Sequence, residues 1–232
     1  MCKAHESIVR PSTRKVILTT SPLYNVWERP NLKLPLHIDI ESIVGGRIRD
    51  LTRALIMLYL IHPERLEVIV VAGLNNIGDS QSSKEIMDEL TELRLTIQAH
   101  TVMNDHPKPS VLSVSTILYA PKFCSLDVPE NCPEWVPPVG FNNRRALIEE
   151  VNEGIRVMNV KAGVNYLKMH MEGVRFDKGG KKLHKHYPAK PIWREQEVRK
   201  KLHLTPEYKE KICVRAAKLF SGGLTNVGDW PK

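Results

Sequence analysis

A chain of 232 residues, 42% hydrophobic and 26% charged, has an ordinary globular composition, which excludes wholesale disorder. At this length about 70% of the unfolded surface can be buried, so no disulfide or metal is required to hold a core. The four cysteines (Cys2, Cys124, Cys132 and Cys213) form no C-x-x-C pair, which argues against structural zinc and for reduced thiols. The longest apolar run, Ala54 to Ile61, is far too short to span a bilayer, and Met1 to Arg14 has no apolar signal-peptide core. The expectation is a soluble intracellular protein, cytoplasmic or nuclear, with no membrane partner, no cofactor and no metal. The net charge of +8 is unevenly placed: Val174 to Lys232 holds 15 Lys and Arg against 6 Asp and Glu, leaving the rest near neutral.

After a polar leader over residues 1–14, Lys15 to Thr20 is a compact β-branched run that predicts a buried strand, stopped by Ser21-Pro22. Tyr24 to Ile40, broken by Pro30 and Pro35, reads as irregular. Val44-Gly45-Gly46 is a turn, and Arg47 to Leu60 predicts a helix with Ile48, Leu51, Leu55 and Leu58 on one face. Glu67 to Ala72 is the strongest strand; its continuous Val/Ile predicts cover on both faces, as in a central parallel sheet. Gly73 to Gly78 reads as a loop.

Ser82 to His100 predicts a second helix, with Ser83 as N-cap and Glu85 and Asp88 near the positive end of the dipole. Ser110 to Tyr119 predicts a third strand, Lys122 to Asn142 a long Pro-rich loop, Asn143 to Val160 a third helix and Val164 to Leu167 a fourth strand. Phe176 to His186 reads as a lysine-rich loop. Helices are predicted over Glu195 to Leu204 and Glu207 to Leu219, the latter capped by Thr205 with Pro206 at its first position. Alternating strands and helices define an α/β fold, a three-layer α/β/α arrangement with a doubly wound, mostly parallel sheet plus C-terminal helices. The organisation read from the sequence is a leader (1–14), an α/β domain (15–180) and a basic helical extension (181–232).

In such a sheet ligands bind beyond the carboxyl ends of the strands. The first strand ends in Thr19-Thr20-Ser21. The helix after Gly45-Gly46 offers N–H groups to an anion. The strand ending at Ala72 is followed by Gly73-Leu74-Asn75, and the last strand by His170-Met171-Glu172-Gly173-Val174-Arg175. In this order and spacing, over roughly residues 15–180, the chain resembles the SGNH (GDSL-type) hydrolases. The resemblance places Ser21 at the nucleophile and Gly46 (or Gly45) and Asn75 at the oxyanion hole. Asn152 falls in the helix that precedes the last strand.

Two blocks depart from the family. Gly-Asp before the serine is Thr19-Thr20, and the C-terminal Asp-x-x-His aligns with Glu172-Gly173-Val174-Arg175. Arginine stays protonated and cannot serve as a general base. His170, His184 and His186 are the substitutes in reach. Each residue also has a plainer reading: Ser21 as a strand stop, Asn75 holding its own loop, Gly45 and Gly46 making a tight turn, the histidines as exposed side chains.

The basic end crowds Lys181, Lys182, Lys185, Arg194, Lys200 and Lys201 around Tyr187 and Trp193, a composition suited to a phosphate backbone and a stacked base. No zinc-finger, RNP-type or Walker pattern accompanies it. SGNH-like domains also occur in proteins of mobile genetic elements, a setting this basic end and the altered blocks resemble. Two function classes follow. The first is a serine ester hydrolase acting on a small ester, or its catalytically degenerate relative. The second is a non-catalytic domain that binds nucleic acid or protein through the basic segment. A nucleotide site on Gly73 to Gly78 is disfavoured, because the G-x-G-x-x-G order is missing.

Overall fold

The computed structural model describes residues 13–20, 23, 38–105, 108–119, 144–169, 175–176, 182–183 and 204–225. In chain order these form β1 (Arg14–Thr19), β2 (Ile38–Ser42), α1 (Ile48–Ile61), β3 (Leu66–Val71), α2 (Leu74–Gly78) and α3 (Ser83–Met103). There follow β4 (Val111–Val114), α4 (Arg145–Lys161), β5 (Arg175–Phe176), β6 (Lys182–Leu183) and α5 (Pro206–Gly222).

β1 to β4 form one sheet in the order β2-β1-β3-β4, every neighbour parallel. The chain steps outward from β1 to β2, then returns past β1 to β3 and β4. The direction of winding therefore reverses between β1 and β3, and their carboxyl ends open on a switch point.

Alternation along the strands assigns the two faces. Val16 and Leu18 of β1, Val68 and Val70 of β3, and Leu112 and Val114 of β4 share a core with α1, α3 and α4. Leu51, Leu55, Leu90, Leu93, Val151 and Ile155 supply its helical side. The opposite parity, with Ile17, Ile69, Val71 and Val111, packs against Tyr208, Ile212, Cys213, Ala216, Ala217 and Phe220 of α5. The expected three-layer α/β/α architecture is thus present. Its second helical layer comes from inside the stretch 181–232, which the sequence reading had set apart as an extension.

The free edge of β4 is closed by side chains. Asn159 accepts from the Val114 N–H (3.1 Å) and donates to the Val114 carbonyl (2.8 Å). Seven residues earlier on α4, Asn152 clamps Ile117 the same way, at 2.6 and 3.0 Å. Buried backbone groups require partners, and here a carboxamide supplies the donor and acceptor that another strand would. Beside them the Thr116 N–H reaches the Leu167 carbonyl (3.1 Å).

Several expected elements are corrected. Ile38–Ser42, at the end of the stretch read as irregular, is an edge strand. Gly73 to Gly78, read as a loop, contains the short helix α2. Only Val111–Val114 of the strand expected over Ser110 to Tyr119 joins the ladder. Val164 to Leu167 forms no strand; it makes one antiparallel bridge, Val164 with Thr225. Arg175–Phe176 and Lys182–Leu183 pair as a two-stranded antiparallel ribbon inside the stretch read as a loop. The N-cap of α3 is Ser82, not Ser83: Ser82 Oγ accepts the Glu85 N–H, and the Glu85 carboxylate accepts the Ser82 N–H (2.7 Å) in a capping box. The helix expected over Glu195 to Leu204 lies outside the described residues except for Leu204. Among the described residues no helix is long and apolar enough to cross a membrane.

Candidate active site

The ends of β1, β2 and β3 lie side by side at the carboxyl edge of the sheet, and the loops that follow β2 and β3 meet beyond it. β1 ends on Thr19, whose hydroxyl donates to the Val71 carbonyl at the end of β3 (2.8 Å). The next carbonyl, that of Thr20, accepts from Ser42 Oγ at the end of β2 (3.3 Å). Thr19 and Thr20 thus tie the exit of β1 to both neighbouring strands, and Ser21 is the residue that follows them.

Beyond β2 the chain turns through Gly45, in the left-handed region at φ 68°, into Gly46. Gly46 is buried, and a Cβ there would lie 2.7 Å from Ile43 Cγ2, so only glycine fits the turn. Beyond β3, Gly73 opens α2 at φ 110°, and a Cβ would lie 2.5 Å from Ile117 Cδ1. That tight turn sends Asn75 toward the β2–α1 loop, where its Nδ2 donates to the Gly46 carbonyl (2.7 Å). Gly46 and Asn75, two of the residues singled out from the sequence, are therefore in contact. The Gly46 N–H itself donates to the Ile43 carbonyl (3.2 Å), so an incoming oxyanion would share or displace that bond.

The start of α1 does not match its expected role. Its N–H groups were read as available to an anion, but the protein fills them itself. Ile48 N–H donates to Asn76 Oδ1 (3.2 Å), Arg49 N–H to Glu89 Oε2 (3.2 Å) and Arg47 N–H to Asp50 Oδ2 (2.8 Å). The Arg47 guanidinium also pairs with Asp79 just past α2 (2.6 Å). The two loops that carry Gly46 and Asn75 are thus stitched together at three points.

Asn76, Gln81 and Glu89 were not singled out from the sequence. The Asn75-Asn76 doublet after an apolar strand was the available signal. Glu89 reads like any solvated helix carboxylate. Asn152, noted within the third helix, holds Ile117 in the segment that follows β4. Two hydroxyls at the same end of the sheet, Thr20 Oγ1 and Ser115 Oγ, are buried with no hydrogen-bond partner among the described residues. Ser21, His170, His184, His186, Lys181, Lys185, Arg194, Lys200 and Lys201 lie outside the described residues, and Lys182 is described only through its backbone in β6. Among the described residues no three His, Cys, Asp or Glu side chains converge on one point.

The sheet order, the layers and the strand-end corner together define an α/β fold of the SGNH/GDSL hydrolase type, and solved structures share it. A putative acylhydrolase from Bacteroides fragilis matches with a TM-score of 0.61 at 13% identity, over 90% of this chain and 85% of that one. A GDSL-like lipase from Bacteroides thetaiotaomicron matches at 0.60 and 12%, over 90% and 86%. A carbohydrate acetylesterase from Sinorhizobium meliloti matches at 0.57 and 13%, over 90% and 99%. No family model matches the chain. No curated protein matches it in sequence.

Proposed function

We propose that this chain is a serine ester hydrolase of the SGNH type, acting on a small ester at the carboxyl edge of its sheet. The observation that carries the reading is the contact of Asn75 with Gly46 beside the exit of β1, the strand that leads into Ser21. Ser21 Oγ attacks the ester carbonyl. The resulting oxyanion is held by the Asn75 carboxamide and the Gly46 N–H, which would exchange its present acceptor for the stronger charged one. His170 or His184 takes the serine proton and returns it to the departing alkoxide, after which water releases the acyl group. The esterases and acylhydrolases that share the fold support this class of chemistry.

One observation favours a second reading, a domain of the same fold that no longer hydrolyses. Arg175 stands where the resemblance calls for the base, and Thr20 where it calls for the acid before the serine. In that case the basic segment, with Lys181, Lys182, Lys185, Arg194, Lys200 and Lys201, carries binding to nucleic acid or protein, and oligonucleotide affinity falls steeply with salt. A fluorophosphonate probe separates the two. Labelling of the intact chain that disappears in Ser21→Ala supports the hydrolase. Absence of labelling, or labelling that survives the substitution, rejects it.

A further inference from the structure

Glu89, on the second turn of α3, is the one carboxylate among the described residues joined to all three pieces of the corner's support. Its Oε2 accepts the Arg49 N–H at the start of α1 (3.2 Å) and Asn76 Nδ2 from α2 (2.8 Å), and its Oε1 accepts Gln81 Nε2 (2.8 Å). Asn76 is fully buried, and its second amide donation goes to Gln81 Oε1.

These bonds fix the sense of the Asn76 carboxamide. Both neighbours on its nitrogen side are acceptors, so its oxygen must face Ile48, whose N–H it receives. Ile48 is two residues after Gly46, and Asn76 is the residue after Asn75. The Glu89-oriented bond and the Asn75–Gly46 bond therefore cross-link the same two loops in adjacent positions. Turning the Asn76 amide over would set its N–H groups against the Ile48 N–H and part the two loops.

We propose that Glu89 is a positioning residue of the Gly46–Asn75 corner, acting through the Asn76 carboxamide. This rests on the reading of that corner as an oxyanion site, and it identifies what sets the corner's geometry. Glutamine at position 89 keeps the shape but removes the charge that strengthens the Arg49 and Asn76 bonds, and it presents one acceptor oxygen where the carboxylate presents two, so at least one of the three donors also loses its partner.

The test compares the 232-residue chain with Glu89→Gln and Glu89→Asp, with Asp88→Asn as a control on the same helix. Three quantities are read: the thermal midpoint, amide hydrogen exchange at Gly46, Ile48 and Arg49, and the side-chain amide resonances of Asn75 and Asn76. In Glu89→Gln, exchange at Ile48 and Arg49 is expected to accelerate about tenfold, the scale of losing one hydrogen bond to a charged group. The Asn75 and Asn76 signals should shift while exchange in the interior of α3 stays the same. Glu89→Asp, whose shorter side chain loses the reach, should follow Glu89→Gln, and Asp88→Asn should match the parent. A purely structural carboxylate would lower the midpoint and speed exchange evenly along α3 without moving the Asn75 signal. That pattern, or no change at all, overturns the proposal. Fluorophosphonate labelling of the same samples reports separately on the corner's chemistry. If the parent is unlabelled yet the Asn75 and Ile48 effects appear, the hydrolase reading fails and the positioning role stands. If the parent is labelled, Glu89→Gln should slow labelling about tenfold.

Discussion

Asn159 holds the N–H and the carbonyl of Val114 at the end of β4, and Asn152 those of Ile117 in the segment just past it, so truncating either strands two buried backbone groups. With about 1–3 kcal/mol for each unsatisfied group, Asn159→Ala should cost about 2–6 kcal/mol, toward the low end where water can enter. Asn159→Asp keeps the acceptor, loses the donor and should fall between alanine and the parent. Urea unfolding of the three proteins checks the order. Gly73 is a steric case: at φ 110°, with Ile117 in the path of any Cβ, Gly73→Ala should cost about 1–3 kcal/mol from backbone strain and displace Asn75 as well. A loss of stability in that variant with an unmoved Asn75 amide signal would show that the turn and the corner are uncoupled.

Cys213 is fully buried in the second core. Burial, helped by the Glu210 carboxylate and opposed by Lys209, pushes its thiol from 9.0 up to about 12. The folded chain therefore holds this proton more tightly than the unfolded chain. The contribution is constant below pH 9 and declines as pH rises toward 12, by up to about 1.4 kcal/mol per pH unit. Cys213→Ala should unfold with a shallower alkaline slope over that window. An identical slope in the two proteins would remove Cys213 as the source. At this scale the sequence exposed the corner's Gly46 and Asn75, because glycine and asparagine after apolar strands are visible in one dimension. It did not expose Glu89 or the pairing of Asn159 with Val114, because those contacts join residues 13 to 45 positions apart through packing that no local pattern encodes.

Helices were legible in proportion to their periodicity. α1, α3, α4 and α5 lie within a few residues of the expected spans, since each buries an apolar stripe at helical spacing. β2 was missed because it is an edge strand: Asp39 and Glu41 interrupt its apolar residues, and only Ile38 is buried. α2 was missed because five residues ending in glycine carry no period to read. The strand expected over Val164 to Leu167 has the right composition, but α4's asparagines occupy part of the edge it would join. The caps give a clean test at this scale. Ser82→Ala and Thr205→Ala each remove a side-chain acceptor from a helix N-terminus and should each cost about 1 kcal/mol. Ser83→Ala, which leaves the α3 cap intact, should change stability much less. Denaturant midpoints of the three variants decide between Ser82 and Ser83 as the functional cap.

For the whole molecule, the parallel sheet and its switch point followed from alternating strands and helices, and the structure places the β1, β2 and β3 exits together as that topology requires. The role of α5 was not legible. Its amphipathic pattern announced a helix but could not say which surface it covers. Phe220→Ala should cost about 3–5 kcal/mol, because the ring fills the second core and leaves a cavity behind. The same change at the exposed Leu60 of α1 should be nearly neutral. Comparable losses at the two positions would mean that α5 is not part of the cooperative unit.

Because α5 covers strands drawn from the first half of the chain, a nascent polypeptide emerging from the ribosome has the four described strands of the parallel sheet in hand well before the helix for their other side is made. Ile17, Ile69 and Val111 must wait for their α5 cover until residues past 206 are synthesised. A growing chain in that state presents sticky apolar surface to its surroundings, so chaperone capture of stalled intermediates should end when translation passes α5.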